Sequence, residues 1–174
     1  PLIIAGKLYY EKYAGNDRFK ETACVDLHTG EELWSRTLLN NRTMTRGQLL
    51  YWDSYDYHGV YDYLIVSIGG GFFDPTPPSW HFFDPWTGDW VYALTNIPSG
   101  SMTRSAKGEF LIYTVNRQNG WMTMWNSSNI PQLYASTQLG SMGIGQWQPM
   151  GKTVGATDPV LGFGGTPVVT PVSY

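Results

Sequence analysis

Short runs of apolar and aromatic residues, separated by turn residues, recur along the chain and show no helical period. Three of these runs occupy positions 7–10, 63–67 and 110–115, and shorter ones follow at 23–25 and 81–83. Runs this short, bounded by Gly, Pro, Asn and Asp, are typical of β-strands that are buried on one or both faces. The pattern predicts an all-β protein of antiparallel strands.

An internal repeat follows two of these runs. The segment 26–34 recurs at 84–92, an offset of 58, and the same offset carries Met44-Thr45-Arg46 onto Met102-Thr103-Arg104. A weaker third copy places Asn126 where Asp84 stands. In such a segment the Asp side chain accepts from backbone amides two or three residues ahead, and Gly supplies a positive φ. The repeat therefore predicts hairpin turns formed by Asp26, Thr29 and Gly30 and by Asp84, Thr87 and Gly88.

A large aromatic residue begins the strand that returns from each turn. This residue is Trp34 in the first copy and Tyr92 in the second. Aromatic side chains provide a large apolar area with a polar end, so Trp34 and Tyr92 are expected to cover the junctions between neighbouring sheets.

The two turn segments resemble the blade motif of the pyrroloquinoline quinone (PQQ)-like repeat family of quinoprotein-type β-propellers. The first copy has the family's Trp at Trp34, and the second has Tyr92 in its place. Segments at 47–51, 84–90, 96–100 and 121–126 are also similar to uncharacterised extracellular archaeal proteins of this repeat type. The resemblance implies about three β-propeller blades, at about 1–46, 47–104 and 105–157. The Gly-, Pro- and Val-rich segment 158–174 is expected to be a tail or an edge strand.

Three blades make an incomplete ring, because closed propellers use about four to eight. Three explanations remain open: the chain is a fragment, other chains supply further blades, or the repeats form an open stack with an exposed edge. The chain begins at Pro1 without an initiator Met, which agrees with processing, truncation or partial coverage.

Composition and charge exclude several functions. Charged residues make up 14% of the chain and aromatic residues 16%, which argues against disorder. The net charge of −3 offers no basic surface for nucleic acid. The single cysteine, Cys24, excludes an intrachain disulfide and a four-thiolate metal site, and it is expected to be buried.

The resembled family includes dehydrogenases that hold PQQ beneath a disulfide between adjacent cysteines, with calcium bound near a catalytic Asp. One cysteine cannot form that disulfide, and no carboxylate and amide cluster matches the calcium site. We therefore expect a protein that is not an enzyme, with no cofactor, no metal and no catalytic residue.

Asp53, Asp56 and Asp62 are expected to cap turns in preference to binding calcium, and the histidines lack zinc spacing.

The loop at 51–63 is rich in aromatic residues. Its Trp52, Tyr55 and Tyr57 are candidates to stack on sugar rings or to anchor a protein interface, although burial between blades is the more common fate of such residues. Two glycosylation sequons, at Asn41 and Asn126, lie beside predicted turns. A glycan on either would require an extracellular or lumenal setting.

These observations lead to the hypothesis of a non-catalytic scaffold, adhesion or assembly module, either extracellular or at the cell surface. It would act through aromatic loops and exposed blade edges. Its partners would be other protein subunits or the rest of a larger chain, and glycans are a further class of ligand. The alternatives are a glycan-binding module and a fragment of a PQQ-dependent dehydrogenase.

Overall fold

The computed structural model describes residues 1–14, 19–53, 58–71, 74–130, 149–156 and 170–171. Strands dominate these residues, which confirms the predicted all-β class. A short 3-10 turn, Leu39–Asn41, connects the fourth and fifth strands. The strands are β1 (Leu2–Ile4), β2 (Lys7–Ala14), β3 (Phe19–Asp26), β4 (Glu32–Arg36), β5 (Arg46–Asp53), β6 (His58–Ile68), β7 (Ser79–Phe83), β8 (Trp90–Thr95), β9 (Ser101–Arg104), β10 (Phe110–Asn116), β11 (Trp121–Asn126), β12 (Lys152–Gly155) and β13 (Thr170–Pro171).

These strands form three sheets. The first sheet has the order β1-β2-β3-β4, the second β12-β8-β7-β6-β5 and the third β13-β11-β10-β9. Neighbouring strands are antiparallel, apart from β12, which pairs with β8 in parallel. Within the described residues no sheet closes on itself, so the architecture agrees with an incomplete, propeller-like fold.

The second sheet lies between the other two, and β6 shows this most clearly. Tyr63 and Ile65 belong to a core shared with the third sheet, whereas Leu64 and Val66 belong to a core shared with the first. Successive side chains of a strand point to opposite faces, so both faces of the second sheet are covered. The continuous apolar run at 63–66 is the sequence signal of this two-sided burial.

The first core joins the first and second sheets. Tyr9 and Cys24 from the first sheet pack there with Leu64, Val66 and Phe83 from the second. Cys24 is fully buried, as predicted, and burial raises the pKa of its thiol. It therefore acts as a small apolar side chain.

The second core joins the second and third sheets and is more aromatic. Phe82 and Tyr92 stack with ring centroids 4.1 Å apart, and Trp80 meets Phe110 and Trp125 edge to face at 5.3 and 5.7 Å. Such pairs add about 0.5–1.5 kcal/mol each beyond the area that they bury.

Strand β12 pairs with the second sheet, although its residues lie within 105–157, the range that the sequence analysis assigned to the third blade. Ala156 explains its place: its N–H donates to the Thr95 carbonyl at 2.7 Å, and its carbonyl accepts from Trp125 Nε1 at 3.0 Å. The segment therefore joins the edge of the second sheet to the third sheet. Two residues of the C-terminal segment, Thr170–Pro171, pair as an edge strand with β11.

Candidate functional site

The first repeated turn has the predicted mechanism. Asp26 Oδ1 accepts from the N–H groups of His28 and Thr29 at 2.7 and 3.2 Å, and these bonds hold the carboxyl pKa below its usual range. Thr29 Oγ1 accepts from the Glu31 N–H at 3.2 Å, and Gly30 has a φ of +74°. The Asp, the Thr and the Gly therefore act together to reverse the chain.

The second turn reproduces the first. Asp84 Oδ1 accepts from the N–H groups of Trp86 and Thr87 at 2.7 and 3.3 Å, and Gly88 has a φ of +72°. A β-bulge precedes both turns, between Cys24 and Val25 in one copy and between Phe82 and Phe83 in the other. The offset of 58 read from the sequence is thus a structural repeat that extends to the bulge.

The weaker third copy keeps one of these bonds. Asn126 Oδ1 accepts from the Ser128 N–H at 2.9 Å, as Asp26 and Asp84 accept from the residue two positions ahead. Glu109 accepts from Ser128 Oγ and Asn126 Nδ2, and these bonds help to hold the Glu109 pKa below its usual range. Asn126 therefore takes the place of the Asp in this turn.

The second turn is also the point where the first sheet contacts the second. Tyr9 Oη and Trp34 Nε1 each donate to the Pro85 carbonyl at 3.1 Å. Trp34 thus covers a sheet junction, as its position in the repeat predicted. Burial raises the pKa of Tyr9, so its hydroxyl stays protonated as a donor.

Two cationic side chains of the first sheet reach the same turn. Lys7 Nζ lies 3.2 Å from the centroid of the Trp86 ring, and Arg36 Nη1 lies 2.6 Å from Asp89 Oδ1. Sequence reasoning missed all of these partners. Lys7 and Tyr9 were identified only as strand residues, and no local pattern links Arg36 to Asp89.

Tyr92, the counterpart of Trp34, lies within the second core. It stacks on Phe82 and meets Tyr63 edge to face at 5.3 Å. The contact from the second sheet to the third turn is made by Gln48, whose Nε2 donates to Ser127 Oγ at 2.8 Å. At both junctions, side chains of one sheet donate hydrogen bonds to the turn of the next sheet, but the side chains that do so differ.

In the second and third sheets, a row of residues that pair across neighbouring strands lies on the face toward the preceding sheet. In the second sheet Gly47 pairs with Leu64, and Leu64 with Phe83. The first sheet covers this row so closely that a Cβ at Gly47 would collide with the side chains of Ile4 and Leu2. In the third sheet, Met102, Ile112 and Trp125 occupy the same positions. Ile112 and Trp125 pack against the second sheet, whereas Met102 at the edge is 43% exposed.

No sheet formed by the described residues covers the corresponding row of the first sheet. This row consists of Ile3, Leu8 and Val25, which pair directly across three strands, and we call it the Ile3 row. Its neighbours along the strands, Ile4, Tyr9 and Cys24, lie in the first core, so the row faces away from it. Ile3 is 63% exposed.

The outer face of the third sheet is the other end of the stack. Tyr113 pairs with Met124, and Val115 pairs with Met122. These four residues, which we call the Tyr113 face, lie opposite the side that packs on the second sheet. Val115 is half exposed, and the other three are partly exposed.

A cavity of about 600 Å³ lies beside β6 at the end of the second sheet. Tyr61, Asp62 and Tyr63 line one side, and Met150 and Lys152 line another. The rings of Tyr61 and Tyr63 are nearly parallel, with centroids 6.3 Å apart. The cavity thus combines aromatic surface with a carboxylate and an ammonium group, a combination suited to a polar organic ligand.

The structure bears unequally on the other site residues that the sequence singled out. Trp52 belongs to β5, but its side chain lies outside the described residues, as do Tyr55 and Tyr57. The expectation of a loop over 51–63 is wrong for its described residues, because 51–53 end β5 and 58–63 begin β6. Asp62 therefore lies within β6 and lines the cavity, where it caps no turn. Asp53 ends β5, and Asp56 lies outside the described residues.

The two sequon asparagines differ in their surroundings. Asn41 is exposed and has a φ of +62°, and its Oδ1 accepts from the Lys20 N–H at 2.7 Å. Asn126 is half-buried and donates through Nδ2 to Glu109 at 3.2 Å.

No family model, curated protein or solved structure matches this chain. Among the described residues, no three His, Cys, Asp or Glu side chains are grouped so as to hold a metal ion. The described part of the chain also contains no helix with the length and apolar character needed to cross a bilayer.

The two turn glycines provide a matched test of the first sheet junction. Both have a positive φ, where alanine costs about 1 kcal/mol. A Cβ at Gly30 would meet no atom within 4 Å, whereas one at Gly88 would lie 2.7 Å from Arg36 Cδ and 3.2 Å from Trp34. We expect Gly30→Ala to lower the free energy of unfolding by about 1 kcal/mol and Gly88→Ala by at least about 2 kcal/mol, measured by urea denaturation. Equal losses would contradict tight docking of the first sheet on this turn.

Proposed function

We propose that this protein is a non-catalytic scaffold that assembles by adding a further sheet to its open stack. One observation carries the proposal: Ile3 is 63% exposed and the rest of its row is partly exposed, whereas the residues that correspond to Leu8 and Val25 in the second and third sheets are buried. What covers them is in each case the preceding sheet. The partner that fits the Ile3 row is therefore a sheet of the same kind, from a second chain or from elsewhere in the same polypeptide.

The Tyr113 face supplies the complementary surface. In the first and second sheets, the corresponding face packs against the next sheet. Tyr9 and Ile65 occupy there the position that Tyr113 has in the third sheet, and both are buried. A Tyr113 face placed on the Ile3 row of another copy would continue the stack in the same direction. Such a head-to-tail contact uses two different surfaces, so it generates a ring or an open fibre.

The first turn supports this direction of stacking. In the second turn Pro85 is buried beneath Tyr9 and Trp34, but its counterpart Leu27 is 47% exposed. The N–H of Leu27 is bound to Gly6 within its own sheet at 3.1 Å. A preceding sheet would cover Leu27 as the first sheet covers Pro85.

We place this scaffold outside the cell. The exposed sequon at Asn41 and the low charged fraction of 14% support that location, as does the aromatic surface that would mediate adhesion. Other subunits or the rest of a larger chain are its partners.

Assembly is tested by placing a charge on the Ile3 row. We expect protein from its native source to sediment as species larger than one chain, and Ile3→Asp to reduce them to the monomer, because a buried unpaired carboxylate is strongly unfavourable. Leu49→Asp is the matched control, since Leu49 is 46% exposed on another strand. We expect it to leave the assemblies intact.

An introduced thiol distinguishes the source of the covering sheet. Cys24 is the single cysteine of the sequence and is buried, so Ile3→Cys introduces an exposed thiol that a reagent can label. Protection that rises with protein concentration indicates a second chain, whereas protection in a monomer indicates a sheet of the same polypeptide. A monomer whose introduced thiol reacts freely at every concentration would overturn the proposal.

A second candidate function is glycan binding, and the cavity beside β6 favours it. Tyrosine rings can stack on sugar rings, and Asp62 and Lys152 can accept from and donate to hydroxyl groups. In the sequence, the cavity residues Val60 and Tyr61 follow the aromatic segment that contains Trp52, Tyr55 and Tyr57. Glycan binding at this position would leave the Ile3 row available for assembly.

A glycan array tests this candidate. We expect Asp62→Asn to weaken binding by about tenfold, because a hydrogen bond to a charged group contributes about 1.5–3 kcal/mol. Asp74→Asn, in the loop between β6 and β7, is the control and should bind as the wild type does. Alanine at Trp52, Tyr55 and Tyr57 tests the aromatic loop in the same assay. No bound glycan, or equal binding by the Asp62 variant, would remove this candidate.

The extracellular location predicts a glycan at one sequon only. Asn41 is exposed, whereas a glycan on Asn126 would disrupt the bond to Glu109 in the third turn. For protein produced in its own source, we expect Asn41→Gln to lower the intact mass by one glycan and Asn126→Gln to leave the glycan mass unchanged. An unmodified wild-type chain would count against the location.

A further inference from the structure

Two arginines cross the junction between the second and third sheets in opposite directions. Arg104, the last residue of β9, donates through Nη2 to the Gly47 carbonyl on β5 at 2.8 Å. Arg46, the first residue of β5, places Nη1 3.1 Å from Met102 Sδ on β9. The repeated Met-Thr-Arg segment thus contributes one arginine from each copy to a single place.

Both guanidinium groups lie over buried aromatic rings. The Cζ atoms of Arg46 and Arg104 are 5.9 and 4.6 Å from the centroid of Phe110, and Arg46 Cζ is 4.9 Å from that of Trp80. Phe110 and Trp80 are 2% and 4% exposed, so both cations lie beside buried aromatic rings. Electrostatic interactions are stronger beside such apolar surface than in open water.

No carboxylate of the described residues forms an ion pair with either arginine. The cationic groups that form ion pairs there are Lys12, Lys20, His28 and Arg36. Glu109, close to Arg104 in sequence, is held by Ser105, Asn126 and Ser128. Burial and the charge of Arg104 lower the pKa of Arg46, which reflects the cost of this uncompensated positive pair.

We propose that Arg46 and Arg104 form a binding site for an oxyanion group, either a carboxylate or a tetrahedral sulfate or phosphate. Each guanidinium has five N–H donors in a planar fork, and the described contacts use only one Nη atom of each. An anion between them would accept charge-assisted hydrogen bonds from both and relieve their repulsion. Because Arg104 is exposed, the anion can enter from solvent. This site is independent of the Ile3 row and of the cavity beside β6.

Equilibrium dialysis of the full chain against radiolabelled sulfate, at constant sodium chloride, tests the site. We expect saturable binding of one sulfate per chain, weakened at least tenfold by Arg104→Gln and by Arg46→Gln. Arg117→Gln is the matched control, because Arg117 is an exposed arginine in the turn after β10. We expect it to change the affinity by less than twofold.

Competition identifies the class of ligand. Displacement of sulfate by acetate and glucuronate at low concentration assigns a carboxylate, and stronger displacement by inorganic phosphate assigns a tetrahedral anion. Arg104→Lys keeps the charge but removes the fork, so it should also weaken binding, and its exposed position makes misfolding a small risk. The absence of saturable binding, or equal losses in the Arg104 and Arg117 variants, would overturn the proposal.

Discussion

The carbonyl group of Pro85 is the acceptor on which the stacking of the first two sheets depends. It receives the hydroxyl of Tyr9 and the indole N–H of Trp34, both from another sheet. A buried donor left without an acceptor costs about 1–3 kcal/mol. If one sheet slid over the other, both donors would lose their acceptor, so this cost would apply to each of them. The turn that begins at Asp84 orients this carbonyl. The same short segment therefore closes a hairpin and positions a neighbouring sheet.

Two-sided burial follows from that stacking. The second sheet places Leu64 in one core and Ile65 in the other, which is possible only because a sheet packs on each of its faces. The end sheets have the same alternation, but the described residues place a neighbouring sheet on only one face of each. Open apolar rows are thus a direct consequence of a repeat whose units bury surface only against each other. The proposed assembly and the geometry of the core have a common origin.

The two junctions differ in chemistry although the backbone repeats. At the first, hydrogen bonds and cations from one sheet meet a polar turn, with Arg36 paired to Asp89. At the second, Trp80, Phe110 and Trp125 fill the space, and Arg46 and Arg104 lie over these rings without a carboxylate from the described residues. A repeated fold thus leaves room for a specific site at one junction.

The sequence alone determined the strands at 7–10, 63–67 and 110–115, the two Asp-Thr-Gly turns and the burial of Cys24, because each depends on residues that are close along the chain. It also identified Trp34 as a junction residue, since an aromatic side chain follows the turn at a fixed spacing. Only the tertiary structure decided which groups these residues meet. The parallel strand β12, the Trp125 bond to Ala156 and the approach of Arg46 to Arg104 join distant segments. Local alternation shows which face of a strand is apolar, but the stacking of whole sheets selects the surface that covers it.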